Sequence, residues 1–576
     1  MTVLSGVGLG RYVPIVRWLP RYQWSWLPKD LLAGLVVASV AIPIALGYAG
    51  VADAPVQVGL YALPGALLAY AIFGSSRQLS VGPSSTVALM SGSVVFGLVG
   101  SGSPAEAAAL SAALALACGL ILMLAGTVRL GWITDFMSKP VITGFTFGLA
   151  LTVIVGELPH ILGLPKEPNQ FVPRLWATVQ QLGETNPVTL GIGLFCLAVL
   201  IAGHRLAPRW PWALTLMVAG IALAPVLDLQ SHDVEVIGPV PQGLPPLGVP
   251  QVDPSDLPTI ALGGVALALV AVGEGLSAAR LFAARGGYRI SADQEFVGVG
   301  AANVAAGFSG GLSVCGSLSR TASAVSAGAR SQISALAAMV AVLVVLVAFT
   351  DLLADLPRVV LSAVVVMSVW FLIAPRTMTR YRKVRRNDYV GAWTGLLGVV
   401  LLGPLYGLLA AVGISLLGLV YRSSKVRVDP LGRIPHERAG WGSLRGHPER
   451  RPVPGILVLR LDAPLFWVNC EDAHGLILAE LDGAPGTRAV VLDLEATGQL
   501  DTTAVDVLHT LLVELRGMEV ELVLARVLSR AELVMEKAGF VGLLGPDRIW
   551  HSISQAVAAA CRLTGVPDED AEDVPS

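Results

Sequence analysis

Charged side chains are scarce in this sequence: only 14% of its 576 residues are Asp, Glu, Lys or Arg, whereas 54% are hydrophobic. A soluble protein carries about 25% charged residues, so most of this chain must lie in lipid. The 39 basic and 41 acidic residues nearly cancel, and no overall basic surface points to nucleic acid. The composition therefore predicts an integral membrane protein.

Cysteine and histidine are also few. The five cysteines lie far apart without a C-x-x-C, and the eight histidines form no pair at helix-face spacing. We therefore expect no disulfide framework, no metal site and no cofactor. The sequence shows no nucleophile–base constellation either, so we do not expect an enzyme.

Residues 1–29 lack the long apolar core and the small-residue cleavage site of a signal peptide. They combine Arg17 and Arg21 with Trp18 and Trp24, side chains that are favourable at a membrane–water boundary. This composition predicts an uncleaved interfacial arm on the cytoplasmic side.

Residues 30–425 form a series of apolar runs broken by Gly, Pro and short charged clusters. About 20 apolar residues cross the roughly 30 Å hydrocarbon layer, and by this measure we predict about 14 transmembrane segments. Their approximate cores are 31–50, 57–73, 82–99, 106–125, 141–156, 187–203, 211–227, 258–281, 294–310, 317–328, 331–350, 357–374, 390–403 and 405–421.

The charges of the loops predict the orientation. Arginine clusters follow the even-numbered segments, whereas the loop 228–258, after the seventh segment, contains Asp and Glu but no Lys or Arg. Basic residues are enriched in short cytoplasmic loops. We therefore expect a multi-pass protein of the cell membrane with both termini in the cytoplasm.

The C-terminal part loses the long apolar runs. Residues 426–454 are rich in proline and are predicted as a linker, and residues 455–565 alternate strand and helix patterns typical of a soluble α/β domain. Strands are expected at 456–461, 465–468, 489–494 and 520–525. Residues 566–576 form an acidic tail.

Two stretches, 74–86 and 307–323, interrupt the apolar pattern with Gly, Ser and Thr at the entrance to a short helix. Irregular backbone at membrane depth requires a protein interior or a watery cavity, and paired interruptions in two halves indicate a transporter site. They lie at the third and tenth segments. If the two short helices begin near the midplane, their free N–H groups converge and favour an anion.

The candidate donors for this anion are the hydroxyls of Ser84, Ser85, Ser317 and Ser319, the N–H groups of Leu318 and Ser319, and the Arg320 guanidinium. Alternatively, the serines only permit close helix packing. An arginine inside a bilayer is costly without a role or partner, although Arg320 could simply neutralise carbonyl ends.

Glu274 is the carboxylate expected nearest the middle of a spanning segment. Desolvation would favour its protonated form, so it is a candidate proton-coupling group. The alternative is a plain ion pair with Arg320 or another cation.

The runs IPIALGYAG (42–50) and SLSRTASAVSAGARSQIS (317–334) resemble the SulP family of anion transporters, the sulfate permease group. The likeness extends from about residue 30 to residue 557. The run LDLEATGQLDTTAVDVL (492–508) resembles that family's STAS domain. The resemblance implies two inverted repeats of seven segments, a core that moves against a gate in an elevator-like manner, and a homodimer.

The resemblance also places the anion contacts at Tyr48, Ser84, Ser85 and 317–320, and coupling at Glu274. Two positions depart from the family pattern. Ile44 replaces a common Gln, and Ala278 replaces the hydroxyl ligand of sodium-coupled bicarbonate relatives. Loss of an oxygen ligand disfavours sodium and leaves proton coupling as the better hypothesis.

Thr502 matches the position that is phosphorylated in the anti-sigma antagonists that give the STAS domain its name. The alternative is that Asp501 and Thr502 simply begin a helix. A cytoplasmic partner that binds this domain is a further hypothesis.

The sequence as a whole predicts a proton-coupled secondary transporter of a small anion, with sulfate favoured over bicarbonate, chloride or a dicarboxylate. The alternatives are an anion-binding membrane sensor that signals through the STAS domain, and an anion channel.

Overall fold

The computed structural model describes residues 13–99, 103–132, 138–165, 170–207, 210–435, 437 and 440–567. The chain divides into two compact units, Met1–Ser415 and Leu416–Ser576. The acidic tail lies outside the described residues from position 568 onward, as does the start of the predicted N-terminal arm.

The first unit is built from helices. We label the long ones α1 Leu27–Val51, α2 Val56–Phe73, α3 Ser85–Val99, α4 Pro104–Thr127, α5 Lys139–Leu162, α6 Pro187–Leu206, α7 Trp212–Val226, α8 Leu257–Arg285, α9 Ala292–Phe308, α10 Leu318–Ser326, α11 Ile333–Ala348, α12 Arg358–Trp370 and α13 Arg386–Ser424. Shorter helices span Ile15–Trp18, Phe171–Gln180, Thr350–Leu353 and Pro375–Val384. Of the helices in the described ranges, eight are long and apolar enough to cross a membrane.

Local sequence signals explain several helix starts. Ser103 and Glu106 form a capping box at α4: Ser103 Oγ accepts from the Glu106 N–H at 3.2 Å, and the Glu106 carboxylate accepts from the Ser103 N–H at 3.1 Å. Asn186 caps α6 by accepting from the N–H groups of Val188 and Thr189. Pro104 and Pro187 occupy first-turn positions, where no N–H is needed.

The last membrane helix, α13, is broken at Gly403, whose φ of 81° and ψ of 171° are not helical. Glycine adopts this conformation without a Cβ clash, and Pro404 then begins the continuing helix. The break separates the predicted thirteenth and fourteenth segments at the expected place.

Helices α4 and α9 approach each other closely through small residues. A Cβ on Gly119 would lie 2.6 Å from the carbonyl oxygen of Gly300, and a Cβ on Gly300 would lie 2.8 Å from that of Gly119. Such contacts let helices associate in lipid by close packing. This contact fixes α9, which leads directly into the second interrupted stretch.

The first unit also contains two short strands, β1 Ser80–Gly82 and β2 Cys315–Ser317. The strands of the C-terminal unit are β3 Val428–Arg433, β4 Trp441–Ser443, β5 Ile456–Leu461, β6 Ala489–Asp493, β7 Glu521–Ala525 and β8 Ile549–Trp550. They form one six-stranded sheet in the order β4-β3-β5-β6-β7-β8, in which strands β5 to β8 are parallel. The helices of the C-terminal unit are α14 Cys470–Asp482, α15 Thr502–Gly517, α16 Ser529–Lys537, the short Phe540–Leu544 and α17 Ile553–Thr564. Helix α17 packs on one face of the sheet and the others on the opposite face.

The prediction of a linker at 426–454 is wrong where β3 and β4 form. Pro430 pairs with Leu459 in the antiparallel β3–β5 ladder, and its carbonyl accepts from the Leu444 N–H at 2.8 Å. Leu431 is only 3% exposed. Proline lacks a donor but keeps its acceptor, so the proline content did not prevent strand pairing.

The strand predicted at 465–468 is also absent. Asn469 accepts from the Phe466 N–H at 3.0 Å and donates to the Pro464 carbonyl at 2.9 Å. These local hydrogen bonds of an Asn side chain compete with a sheet ladder and fold the segment into a turn.

Candidate functional site

The two interrupted stretches meet in a short antiparallel sheet. Strand β1 (Ser80–Gly82) pairs with β2 (Cys315–Ser317), with Ser80 opposite Ser317 and Gly82 opposite Cys315. Strand β1 leads through Pro83 and Ser84 into α3, and β2 leads directly into α10. The structure therefore brings together the helix starts that the sequence predicted to converge.

Arg320 lies between these helix starts and is only 2% exposed. Its Nη1 donates to the Pro83 carbonyl at 2.6 Å, and its Nη2 approaches the Cys315 carbonyl at 3.5 Å. Its Nε is buried with no hydrogen-bond partner in the described part of the chain. The guanidinium thus bridges both stretches and retains a free N–H.

Glycine at position 82 makes room for this arginine. A Cβ there would lie 3.2 Å from Arg320 Nη2 and 2.8 Å from Leu63 Cδ2. The backbone of β1 can therefore pass directly beside the guanidinium, which a larger residue would displace.

Glu274 on α8 faces the start of α3. Its carboxylate accepts from Thr86 Oγ1 at 2.5 Å and from Ser84 Oγ at 3.4 Å, and the Cys315 Sγ lies 3.4 Å away. Glu274 forms no ion pair within 4.0 Å of Arg320 in the described structure, which disfavours the plain ion-pair reading. The carboxylate is instead held by neutral donors.

A close backbone contact places Glu274 there. A Cβ on Gly316 would lie 2.8 Å from the Gly275 Cα, so α8 packs directly against β2. Because Gly275 is adjacent to Glu274, this contact delivers the carboxylate to the sheet that joins the two stretches.

The first turn of α10 carries the remaining predicted donors. Ser317 caps the helix by accepting from the Arg320 N–H at 3.4 Å, and its hydroxyl lies 3.2 Å from that of Ser319. Leu318 and Ser319 are exposed. The N–H groups of a first turn have no acceptor within their helix, so those of Leu318 and Ser319 remain available for an anion.

Tyr48 and Ser85 complete the set of predicted contacts. Tyr48 on α1 is 5% exposed, and its hydroxyl lies 2.8 Å from Ser368 Oγ on α12. Ser85 at the start of α3 is 6% exposed and lies near Tyr48. All seven predicted anion-contact residues therefore lie around one region.

Three further residues of this region were not singled out from the sequence: Thr86, Cys315 and Ser368. Thr86 and Cys315 fall inside the interrupted stretches, and their adjacency to Ser84–Ser85 and Ser317 was an available signal. No sequence pattern marks Ser368, because its role depends on how α12 packs beside α1.

In the C-terminal unit, Asp501 caps α15 by accepting from the Ala504 N–H at 2.8 Å. Its second carboxylate oxygen accepts from the Trp467 N–H at 2.8 Å. Thr502 is exposed at the first helical position. The helix-capping alternative is therefore realised through Asp501, while the Thr502 hydroxyl is accessible.

Comparison with other proteins agrees with this architecture. The model of the sulfate permease family matches residues 27–394, and that of the STAS domain matches residues 447–559. This chain belongs to the sulfate permease family. Membership confirms the resemblance noted in the sequence and the expectation of a transport protein rather than an enzyme.

Relatives in this family match along nearly the whole chain. A probable sulfate transporter of Mycobacterium tuberculosis is 36% identical over 549 residues, covering 95% of this chain and 98% of that protein. Sulfate transporter 3.1 of Arabidopsis thaliana is 28% identical to this chain. The match covers 96% of this chain and 87% of that protein.

Solved structures show the same fold. The murine Solute Carrier 26 family member A9 anion transporter, in its inward-facing state, matches with a TM-score of 0.92 at 20% identity, covering 98% of this chain and 96% of that one. The transmembrane domain of a cyanobacterium bicarbonate transporter matches with a TM-score of 0.60 at 23% identity, covering 68% and 99%. The predicted polytopic helical domain with a C-terminal α/β STAS domain is thus confirmed.

Proposed function

We propose that this permease is a proton-coupled secondary transporter of a small anion, with sulfate as the preferred substrate. Its anion binds between the starts of α3 and α10, and Glu274 carries the coupled proton. The observation that carries the proposal is the buried, bridging position of Arg320.

Arg320 is suited to an anion because its charge is unpaired. No carboxylate lies within ion-pair distance in the described residues, and two backbone carbonyls neutralise a guanidinium only in part. A buried charge without a counter-ion is costly, and an oxyanion accepting from the free Nε–H would supply one. The first-turn N–H groups of α3 and α10 add favourable dipole ends.

Glu274 supports proton coupling. It is the carboxylate beside the proposed anion site, and its partners are hydroxyl and thiol groups that tolerate either protonation state. A protonated Glu274 would relieve repulsion with an arriving anion. The buried Ala278, one turn further along α8, offers no oxygen for a sodium ion.

The choice of sulfate follows the relatives, which are named as sulfate transporters in a bacterium and a plant. The donor set of hydroxyls, backbone N–H groups and one arginine suits tetrahedral oxyanions, since each oxygen can accept more than one bond. Bicarbonate, chloride and dicarboxylates are the competing substrates.

We further propose an elevator-like cycle in a homodimer, with both termini and the STAS domain in the cytoplasm. The basic loops after the even-numbered segments and the acidic loop 228–258 support this orientation. The variants Leu247→Cys and Arg380→Cys would test this orientation by labelling intact cells with a thiol reagent that does not cross the membrane. Only Leu247→Cys should react.

The central experiment measures labelled sulfate uptake by the purified protein in proteoliposomes with an inward proton gradient. We expect uptake above empty vesicles, stimulation by the gradient and loss of that stimulation with a protonophore. Arg320→Ala should abolish uptake, whereas Arg380→Ala, which removes an exposed arginine from the helix Pro375–Val384, should not.

Failure of every tested anion to enter above the empty-vesicle level would refute the transport proposal. Flux that ignores the proton gradient and exceeds carrier rates would indicate a channel instead. Tight anion binding without flux, together with capture of a partner by the STAS domain, would indicate a sensor.

A further inference from the structure

A second basic site lies away from the anion site, beneath the N-terminal arm. It is a cavity of about 260 Å³, which we call the arm pocket. Its lining includes Arg17, Trp18, Arg21, Arg77, Arg330 and Gln332. Four arginines from three separate parts of the chain therefore face one small space.

Among the described residues, no acidic side chain forms an ion pair within 4.0 Å of any of these four guanidiniums. Two lie instead against aromatic rings: Arg330 is 5.9 Å from the Trp26 ring centroid, and Arg77 is 4.9 Å from that of Tyr288. Stacking orients a guanidinium without consuming its charge.

Two acidic side chains near the pocket, Asp30 and Glu295, already accept hydrogen bonds from the loops at 330–331 and 75–76, which form two of its walls. Asp30 accepts from the N–H groups of Arg330 and Ser331 and from the Ser331 hydroxyl. Tyr22 also donates to Asp30, at 3.2 Å. Burial, with the charge and hydrogen bond of Asp30, raises the pKa of Tyr22 to about 12, so this phenol stays protonated.

The second wall is fixed in the same way. Glu295 accepts from the N–H groups of Ser75 and Ser76, from the Ser75 hydroxyl and from Tyr70. Gln332 Nε2 then joins the two walls by donating to the Ser76 carbonyl at 2.9 Å. The arginines are thus presented by a preorganised frame.

Two buried polar atoms of lining residues have no partner among the described residues. Trp18 Nε1 is a donor, and Gln332 Oε1 is an acceptor on a residue only 2% exposed. Leaving such groups unsatisfied is costly, so they indicate a ligand with both an oxygen acceptor and a hydroxyl donor. A phosphate that carries a glycerol group has both.

The arm also offers apolar surface next to the pocket. Val16, Leu19 and Trp24 are 54%, 47% and 78% exposed. Apolar and tryptophan side chains on an arginine-rich arm favour the headgroup level of a bilayer. A ligand that enters from the bilayer would meet this surface with its acyl chains.

We propose that the arm pocket binds the phosphoglycerol headgroup of an anionic phospholipid. The arginines and the Trp18 N–H hold the phosphate oxygens, and Gln332 accepts from a glycerol hydroxyl. With the orientation proposed above, the lipid belongs to the cytoplasmic leaflet. Its binding would secure the arm to the loops that precede β1 and α11.

The test is a thermal unfolding titration of the purified full-length protein with short-chain phosphatidylglycerol. Phosphatidylcholine of the same chain length and inorganic phosphate serve as comparisons. We expect a saturable rise in unfolding temperature with phosphatidylglycerol alone. The same rise in an Arg320→Ala background would separate this pocket from the central anion site.

Arg330→Gln should weaken the apparent affinity about tenfold, because a charge-assisted hydrogen bond is lost. Trp18→Phe, which keeps the aromatic ring and removes only the N–H, should weaken it about fivefold. If either variant fails to fold, Arg17→Gln on the exposed arm takes its place in the titration. Arg380→Gln makes the same charge change outside the pocket and should leave the affinity unchanged.

Equal stabilisation by phosphatidylcholine would overturn the proposal, as would unchanged affinity in all pocket variants. Equal stabilisation by inorganic phosphate that is lost in Arg330→Gln would show a site for a soluble anion rather than a lipid.

Discussion

Thr86 on α3 donates a hydrogen bond to Glu274 on α8, with 2.5 Å between Oγ1 and Oε1. Thr86 directly follows Ser84 and Ser85, which face the proposed anion site. The carboxylate is therefore coupled through one hydroxyl to the helix start that would bind substrate. A shift of α3 on anion binding would therefore change the hydrogen bond that the Glu274 carboxylate accepts from Thr86.

Replacing Thr86 by Val should move the pH midpoint of sulfate uptake upward by about one unit. A hydroxyl that donates to a carboxylate favours its charged form, and such a bond is worth about 1–1.5 kcal/mol. The measurement is initial uptake rate against pH in proteoliposomes. Thr86→Ser keeps the donor and should retain the native midpoint; a common shift in both variants would contradict this account.

Glu274→Gln should make the remaining flux independent of the proton gradient. The amide is nearly isosteric with the carboxylate but carries no titrating proton, so the coupled step is lost while Thr86 keeps a partner. Uptake is compared with and without an imposed gradient. Glu184→Gln, at an exposed position, is the matched control and should respond like the native protein.

The Tyr48–Ser368 contact links α1 to α12 beside the site, at 2.8 Å between the hydroxyls. Tyr48→Phe and Ser368→Ala should each raise the KM for sulfate severalfold, while a double variant should show less than the sum of the two free-energy changes. Full additivity would show that the two hydroxyls act separately. Unfolding temperatures of all three variants control for misfolding.

The sequence predicted most helices of the membrane unit because lipid favours apolar runs of about 20 residues that satisfy their own backbone, although several helices here are shorter. The same rule revealed the interrupted stretches, and with them Ser84, Ser317 and Arg320. Even the break at Gly403 was visible, since Gly403-Pro404 interrupts an otherwise continuous apolar run.

Other features depended on contacts between distant parts of the chain. Ser368 reaches Tyr48 across 320 positions, and no local pattern encodes that pairing. Strand β3 lies in a proline-rich stretch whose composition predicts a linker, but pairing with β5 overrides this local preference. The turn at 465–468 depended on side-chain bonds of Asn469 that hydrophobic patterning does not show.

Asp493 provides a test of the STAS core. It is fully buried at the end of β6 and pairs with Arg460 and Arg526, which are 34% and 25% exposed. Burial lowers the pKa of the Arg526 guanidinium, but the hydrogen bond and charge of Asp493, with Glu495, outweigh it and raise the pKa overall.

Asp493→Asn should lower the free energy of unfolding of this domain by about 2 kcal/mol. Removing one partner leaves the guanidiniums uncompensated, although their partial exposure limits the cost. Urea unfolding of residues 426–567, followed by tryptophan fluorescence, measures the change. Asp482→Asn, at an exposed position, should alter stability by less than about 0.5 kcal/mol.

Asp501 and Thr502 allow a matched comparison at the start of α15. Asp501→Ala should destabilise the domain by about 1 kcal/mol, because the Ala504 N–H loses its cap. The lost bond to the Trp467 N–H also frees the preceding turn. Thr502→Ala should change stability little, since its side chain is exposed.

Any effect of phosphorylation at Thr502 must then arise from the added charge or from a bound partner rather than from a lost native contact. Urea unfolding of Thr502→Glu, with no change beyond about 1 kcal/mol, would be consistent with that, whereas collapse of the domain would show that α15 cannot accommodate a second negative charge beside Asp501.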